Sequence, residues 1–269
     1  MLKDITLGQY FPGNSPVHRM DPRTKLIMLV VYIVALFCAV SWVSYAAVFV
    51  FLAVTIYISK IPVKSLVRGM KPLLLILIFT GFLNLFFTVG EGEPLVSFWV
   101  LAIYTEGIVR ALFMMIRILM LISGTFLLTY TTSPISLTDG LESLMSPLKA
   151  IRLPVHELSM MMCIALRFIP TLIEETDKIM SAQKARGADF ESGSLLQRVK
   201  ALVPILVPLF ISAFRRADEL ATAMECRCYQ GGEGRTKMKL LRFSYFDFIA
   251  LGIGIVLIAV VMVLAGFGL

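Results

Sequence analysis

The sequence predicts an all-α polytopic membrane protein, and three observations carry that prediction. Hydrophobic residues make up 58 % of the 269 positions and charged residues only 16 %, too little polar surface for a soluble domain of this length. The apolar residues fall in long uninterrupted runs. The charges are confined to a few stretches between those runs, which makes lipid the solvent for much of the chain.

Residues 1–22 are polar and contain no apolar h-region, so no cleavable signal peptide is expected. Residues 26–58 carry no charge. As one helix they would extend about 50 Å, too long for a hydrocarbon core of about 30 Å. Ser41-Trp42-Val43-Ser44 supplies a break, so this region reads as a tight pair of short spans. Lys60, Lys64, Arg68 and Lys71 follow, and then a third span over residues 73–89. The next loop carries Glu91, Glu93 and Glu106 without Lys or Arg, and a fourth span covers residues 107–130. Basic flanks mark the cytoplasmic side. His18, Arg19, Arg23 and Lys25 therefore place the N-terminus there, together with the 60–71 loop, and the acidic loop lies outside the cell membrane.

Residues 131–242 differ in kind. They hold 15 of the 25 basic residues and 12 of the 18 acids, a net of +3. Two apolar stretches, residues 158–173 and 201–214, are shorter than a normal span and contain Pro170, Pro204 and Pro208. They read as interfacial, re-entrant or buried core helices. Residues 248–269 are 22 uncharged positions, enough for a closing span. The expected organisation is an N-terminal transmembrane bundle of about four spans over residues 1–131, a cytoplasmic or interfacial helical domain over 132–242, and a C-terminal transmembrane helix over 243–269.

Each short apolar stretch leads into a charged amphipathic helix. Residues 174–187 and 215–228 align with an offset of 41, so that Asp177 meets Asp218, Ala182 meets Ala223 and Arg186 meets Arg227. Acids near each start and an arginine near each end suit the helix dipole. Gly187, and Gly231-Gly232 later, are stop signals. In the second helix Phe214, Ala217, Ala221, Met224 and Cys228 form one apolar face. Small neighbours (Ala185 and Gly187, Cys226 and Cys228) let each arginine reach into a partner groove, where its planar fork suits a carboxylate or backbone carbonyls. The bland alternative is a charged helix end bathed in water.

Five motifs give these features a family. They are His18-Arg19-Met20-Asp21-Pro22-Arg23-Thr24-Lys25-Leu26, Thr131-Thr132-Ser133-Pro134, Ala165-Leu166-Arg167-Phe168-Ile169-Pro170, Ala182-Gln183-Lys184-Ala185-Arg186-Gly187 and Arg215-Arg216-Ala217-Asp218. Over nearly its whole length the chain resembles the transmembrane T component of energy-coupling factor transporters, prokaryotic ABC-type importers of vitamins and metal ions. The resemblance implies an L-shaped arrangement in which residues 132–242 form a coupling domain. It also implies that two coupling helices, each ending in an Ala-Arg-Gly-like triplet, dock on two ABC-type ATPase subunits. A membrane-embedded substrate-binding subunit is the third implied partner, reoriented when ATP closes the ATPase pair. Ala185-Arg186-Gly187 matches the triplet in full. Cys226-Arg227-Cys228 keeps the arginine but replaces both small neighbours with cysteine.

Other functions fare less well. No Gly-x-x-x-x-Gly-Lys-Ser/Thr sequence is present to cradle ATP phosphates, so any ATP hydrolysis belongs to another polypeptide and the chain is not expected to be an enzyme. His18 and His156 are the only histidines and form no His-Glu-x-x-His pair; Glu174-Glu175 has no accompanying histidine. Cys226 and Cys228, two apart on a helix, point in different directions, so neither metal nor cofactor is expected. The four cysteines, Cys38, Cys163, Cys226 and Cys228, form no Cys-x-x-Cys pair and suit a reducing cytoplasmic side. The net charge of +7 lies in membrane flanks, which argues against nucleic acid.

Within the spans, Arg117 reads as a structural contact to a carbonyl, an acid or a partner, with a substrate path as the alternative. Arg110 should snorkel outward and Asn84 should make a helix-packing hydrogen bond. Met160-Met161-Met162 reads as adaptable packing, or as a plastic surface offered to the substrate-binding subunit. A self-sufficient secondary transporter or channel is the runner-up, and it would require intramembrane acids or broken helices. The four predicted spans hold no Asp or Glu except near their ends. A scaffold without a transport role is the third reading.

Overall fold

The computed structural model describes residues 10–87, 96–98, 101–151, 153–188, 190, 194–231 and 240–267. Glu91 and Glu93 of the acidic loop, the end of the third predicted span at 88–89, Arg152, Gly232, Arg235, Lys237 and Lys239 lie outside the described residues, as do 1–9 and 268–269. The helices are α1 (Pro16–Arg19), α2 (Pro22–Cys38), α3 (Trp42–Ser59), α4 (Val63–Met70), α5 (Leu74–Phe87), α6 (Thr105–Thr131), α7 (Pro134–Leu144), α8 (Val155–Ala185), α9 (Leu195–Glu225) and α10 (Tyr245–Gly266). Between α5 and α6, where the sequence suggested only a loop, β1 (Val96–Phe98) pairs antiparallel with β2 (Leu101–Ile103).

Among the described residues, five helical stretches are long and apolar enough to cross a membrane: Trp42–Ser59, Val63–Phe86, Gly107–Thr131, Val155–Ala185 and Tyr245–Gly266. The chain is therefore an all-α polytopic membrane protein. With 17 residues, α2 stands at the short limit for a span. The break expected near residue 41 is real: α2 ends at Cys38, and Ser41 caps α3 by accepting from the Ser44 N–H at 3.3 Å.

The described residues form two compact units, one within residues 10–141 and 241–267, the other within residues 142–240. In the first, α2, α3, α6 and α10 bury Tyr32, Leu36, Val48, Leu52, Met120, Leu257 and Val261 in one core. Tyr32 donates to the Met120 carbonyl at 2.9 Å, and Gly124 lets the Tyr32 ring approach so closely that a Cβ there would stand 2.5 Å from it. Outward-facing residues such as Val30, Phe37, Phe49, Leu75 and Ile255 are exposed, as lipid-facing surface should be.

One end of this bundle is closed by a polar knot. Asp21 caps α2 by accepting from Arg23 N–H at 2.9 Å, with Pro22 at the first helical position. The fully buried Asp247 carboxylate accepts from the Asp21 N–H at 2.9 Å and, as the third residue of the capping box that Ser244 opens on α10, from the Ser244 N–H at 2.6 Å. Lys25 donates to the carbonyls of Thr131 at 2.9 Å and His18 at 3.3 Å, and to the Thr132 hydroxyl at 3.2 Å. The Asp-Pro-Arg-Thr-Lys and Thr-Thr-Ser-Pro motifs thus meet as one hydrogen-bonded cluster that satisfies buried backbone groups. Beside it, His18 bonds Ser15 and the Phe11 carbonyl; burial, with a smaller push from Lys25, holds its pKa below the ordinary histidine value.

Arg117 is a structural contact, as expected. Its Nε donates to the Tyr45 hydroxyl at 2.8 Å, its Nη2 to the Ala39 carbonyl at 3.3 Å, and its guanidinium lies over the rings of Phe37 and Tyr45. It binds the break between α2 and α3. Asn84 differs from expectation: its amide bonds the Thr80 carbonyl of its own helix at 2.9 Å, not a neighbour.

In the second unit the short apolar stretches are not separate segments. Each is continuous with the amphipathic helix that follows, giving 31 residues in both α8 and α9, with Pro170, Pro204 and Pro208 inside. Proline costs an i→i−4 hydrogen bond, and the helices absorb the loss. The Pro204 carbonyl, which Pro208 cannot serve, accepts instead from Gln183 Nε2 at 3.4 Å. At the start of α8, Glu142 accepts from Ser159 at 3.0 Å and lies 3.2 Å from His156 Nδ1.

Candidate partner-docking site

Both predicted triplets sit at helix ends, and the two ends have the same backbone design. At the end of α8, Gly187 has φ +87° and the Gly187 N–H bonds the Lys184 carbonyl at 3.0 Å, while the Ala188 N–H bonds Gln183 at 3.0 Å. At the end of α9, Cys228 has φ +54°, its N–H bonds Glu225 at 2.8 Å, and the Tyr229 N–H bonds Met224 at 3.0 Å. Each is a complete Schellman turn, closed by one left-handed residue. Cysteine thus fills the role of glycine at 228, in a conformation costing about 1–2 kcal/mol for a residue with a Cβ.

Arg186 and Arg227 each directly precede the left-handed residue, and both are exposed, as are Ala185, Gly187, Cys226 and Cys228. Among the described residues neither guanidinium has a hydrogen-bonding or ionic partner. The stop signal of α9 is therefore Cys228, ahead of the Gly231-Gly232 pair expected from the sequence; Gly231 also has positive φ.

The crossing of α8 and α9 fixes where the two arginines stand. Glu175 accepts from Arg216 Nη2 at 2.8 Å and from the Ser212 hydroxyl. Together with the Gln183–Pro204 bond, this pairs later residues of α8 with earlier residues of α9, so the helices run antiparallel. Arg186 and Arg227 consequently lie on opposite sides of the crossing. Each is 11 residues beyond its member of the Glu175–Arg216 pair, about 16 Å along its axis.

The Met-rich run lies in the first half of α8, with Met161 and Met162 exposed and Met160 half-buried. Apolar residues also stay exposed along α9, among them Val199, Val203, Leu206, Phe210 and Phe214, at spacings of three and four that make one helical stripe.

Comparison with known proteins gives this arrangement its family. A family model described as cobalt transport protein (CbiQ) matches residues 13–238. The energy-coupling factor transporter transmembrane protein EcfT of Clostridium kluyveri is 55 % identical over 260 residues, 97 % of this chain and 96 % of that one. The chain belongs to the T-component family of energy-coupling factor transporters. The EcfT proteins of Ruminiclostridium cellulolyticum and Bacillus subtilis are 54 % and 49 % identical, over 95 % and 92 % of this chain and 95 % and 93 % of theirs. This T component is thus a membrane subunit of a transporter.

Sequence reasoning missed the clip between Glu175 and Arg216 and the part played by Asp247. The 41-residue offset held the first signal, because it aligns Glu175 with Arg216. Asp247, three residues after Ser244 at the start of an apolar run, fits a capping box, but its bond to Asp21 spans 226 positions.

Proposed function

We propose that this T component is the coupling subunit of a micronutrient importer, carrying the movement of two separate ABC-type ATPase subunits to a membrane-embedded substrate-binding subunit. The cargo class is a vitamin or metal ion, the side bearing the arginine tips is cytoplasmic, and the N-terminus lies on that side of the plasma membrane. The observation that carries the proposal is the pair of like-built helix ends, each presenting one exposed arginine, on opposite sides of a clipped crossing. Two equivalent tips suit two ATPase subunits related by an approximate twofold axis.

In this reading Arg186, flanked by Ala185 and Gly187, and Arg227, flanked by Cys226 and Cys228, insert into grooves of the ATPases and bond carboxylates or carbonyls there. Closure of the ATPase pair shifts the tips, and the crossing at Glu175 and Arg216 turns that shift into a change of angle between α8 and α9. The Met160–Met162 run, through its exposed Met161 and Met162, and the apolar stripe of α9 pass the change to the substrate-binding subunit, which accepts it over a plastic apolar surface.

Arg186→Ala/Arg227→Ala tests the reading. Truncating one partner of a desolvated interface pair costs about 2–5 kcal/mol, so the double variant should lose the ATPase subunits on purification in detergent or hydrolyse ATP without uptake. Normal complex yield with normal uptake rejects the role.

A further inference from the structure

The membrane bundle contains a cavity of about 230 Å³, bounded by α1, α2, α3, α6 and α10 and lined almost wholly by apolar atoms. An apolar cavity of about 150 Å³ suffices for benzene. On α2 the lining runs from Lys25 to Tyr32, about 10 Å of helix, against about 15 Å for the hydrocarbon depth of one leaflet.

The cavity opens where α3 and α10 part. Leu257 and Val261 of α10 are buried with Val48 and Leu52 of α3. Nearer the other end Ile58, Phe246, Ile249 and Ile253 line the cavity and remain exposed. The opening therefore faces the surroundings of two helices in the bundle, and there the surroundings are lipid.

The polar end of the same space is strongly basic. It is built from the start of α2 and α10 and the end of α3 and α6, and Arg19, Lys60, Lys64, Arg68 and Arg242 all stand exposed beside those ends. Among the described residues of this unit, the acids at this end are Asp21 and Asp247, both buried, and the half-buried Asp139 on α7. Lys25, at the polar end of the lining, already directs its ammonium group to three protein oxygens.

We infer that this cavity holds one acyl chain of an anionic phospholipid, whose phosphate is attracted by the basic residues at the mouth. Depth, apolar lining and lateral opening suit the chain, and the surplus of exposed cations suits the headgroup. A zwitterionic lipid fits the same cavity but gains nothing from the charge.

The test places a fluorescent reporter at the rim. In the full chain, with any co-purifying subunits retained, Trp42 and Trp99 are replaced by Phe and Phe246→Trp is introduced. The protein is reconstituted in vesicles carrying brominated chains on either phosphatidylglycerol or phosphatidylcholine, at equal total composition. The introduced indole should be quenched more by the anionic lipid, with a relative affinity of about fivefold for each basic residue engaged. Arg19→Ser/Lys60→Ser/Arg242→Ser should bring the ratio towards one, and Ala250→Phe, which fills the cavity, should abolish the preference in protein that still melts cooperatively. Equal quenching by both lipids overturns the inference, as does a preference that survives Ala250→Phe. Quenching that appears only once a bound subunit is removed also overturns it, because the occupant is then protein.

Discussion

Glu175 of α8 and Arg216 of α9 are hydrogen-bonded at 2.8 Å, and they are also the residues that the 41-position offset between the two arginine-tipped helices superimposes. When equivalent positions of two similar antiparallel helices touch each other, the contact marks an approximate twofold axis between them. The two tips are then disposed alike about the clip.

The clip should therefore govern the spread of the tips more than the stability of the protein. The side chains of Arg216 and Glu175 are 35 % and 22 % exposed, and a pair this open is worth about 0.2–1 kcal/mol. In a double-mutant cycle, Glu175→Gln and Arg216→Ala should show coupling of that size in thermal unfolding. Spin labels beyond each tip, with the native cysteines replaced, should report a broadened distance distribution in Arg216→Ala. An unchanged distribution removes the clip from the mechanism.

The two caps make opposite predictions from the same backbone shape. A Cβ at Gly187 would meet nothing within 4 Å, so any cost of Gly187→Ala comes from its positive φ and should be about 1 kcal/mol. Cys228→Gly relieves the corresponding strain while loosening the unfolded chain, for a net gain below about 1 kcal/mol. Melting temperatures in detergent should fall for the first substitution and hold or rise for the second.

Breaking the knot at the bundle end should cost far more than breaking the clip. Lys25→Met strands the Thr131 and His18 carbonyls and takes one positive charge from the neighbourhood of Asp21 and Asp247, leaving Asp21 with Arg23 at 3.7 Å, and Asp247→Asn weakens two backbone bonds at once. Each change should lower stability by about 2–4 kcal/mol, read as a fall in melting temperature. A loss below about 0.5 kcal/mol for both would show that the cluster is incidental.

Arg117 should tolerate no simple replacement. Lysine cannot both donate to Tyr45 and reach the Ala39 carbonyl as the planar fork does, so Arg117→Lys should destabilise by about 1–3 kcal/mol and exceed Tyr45→Phe. Uptake per folded molecule should stay normal in both. A selective loss of uptake in stable Arg117→Lys protein would restore the substrate-path reading.

The sequence by itself determined the solvent and the helical class, because long charge-free runs admit few other solutions in lipid. It also determined the break near Ser41 and the positions of both arginine tips, since caps and offsets are local or periodic signals. The tertiary structure alone decided that α8 and α9 run unbroken through their prolines. A lost backbone bond can be compensated from another helix, as Gln183 does for Pro204, and no local pattern records that. It alone decided, too, that Asp247 closes onto Asp21 and that Arg117 braces the α2–α3 break. Those partners are fixed by which helices pack together, and charge-free lipid-facing sequence says little about neighbours.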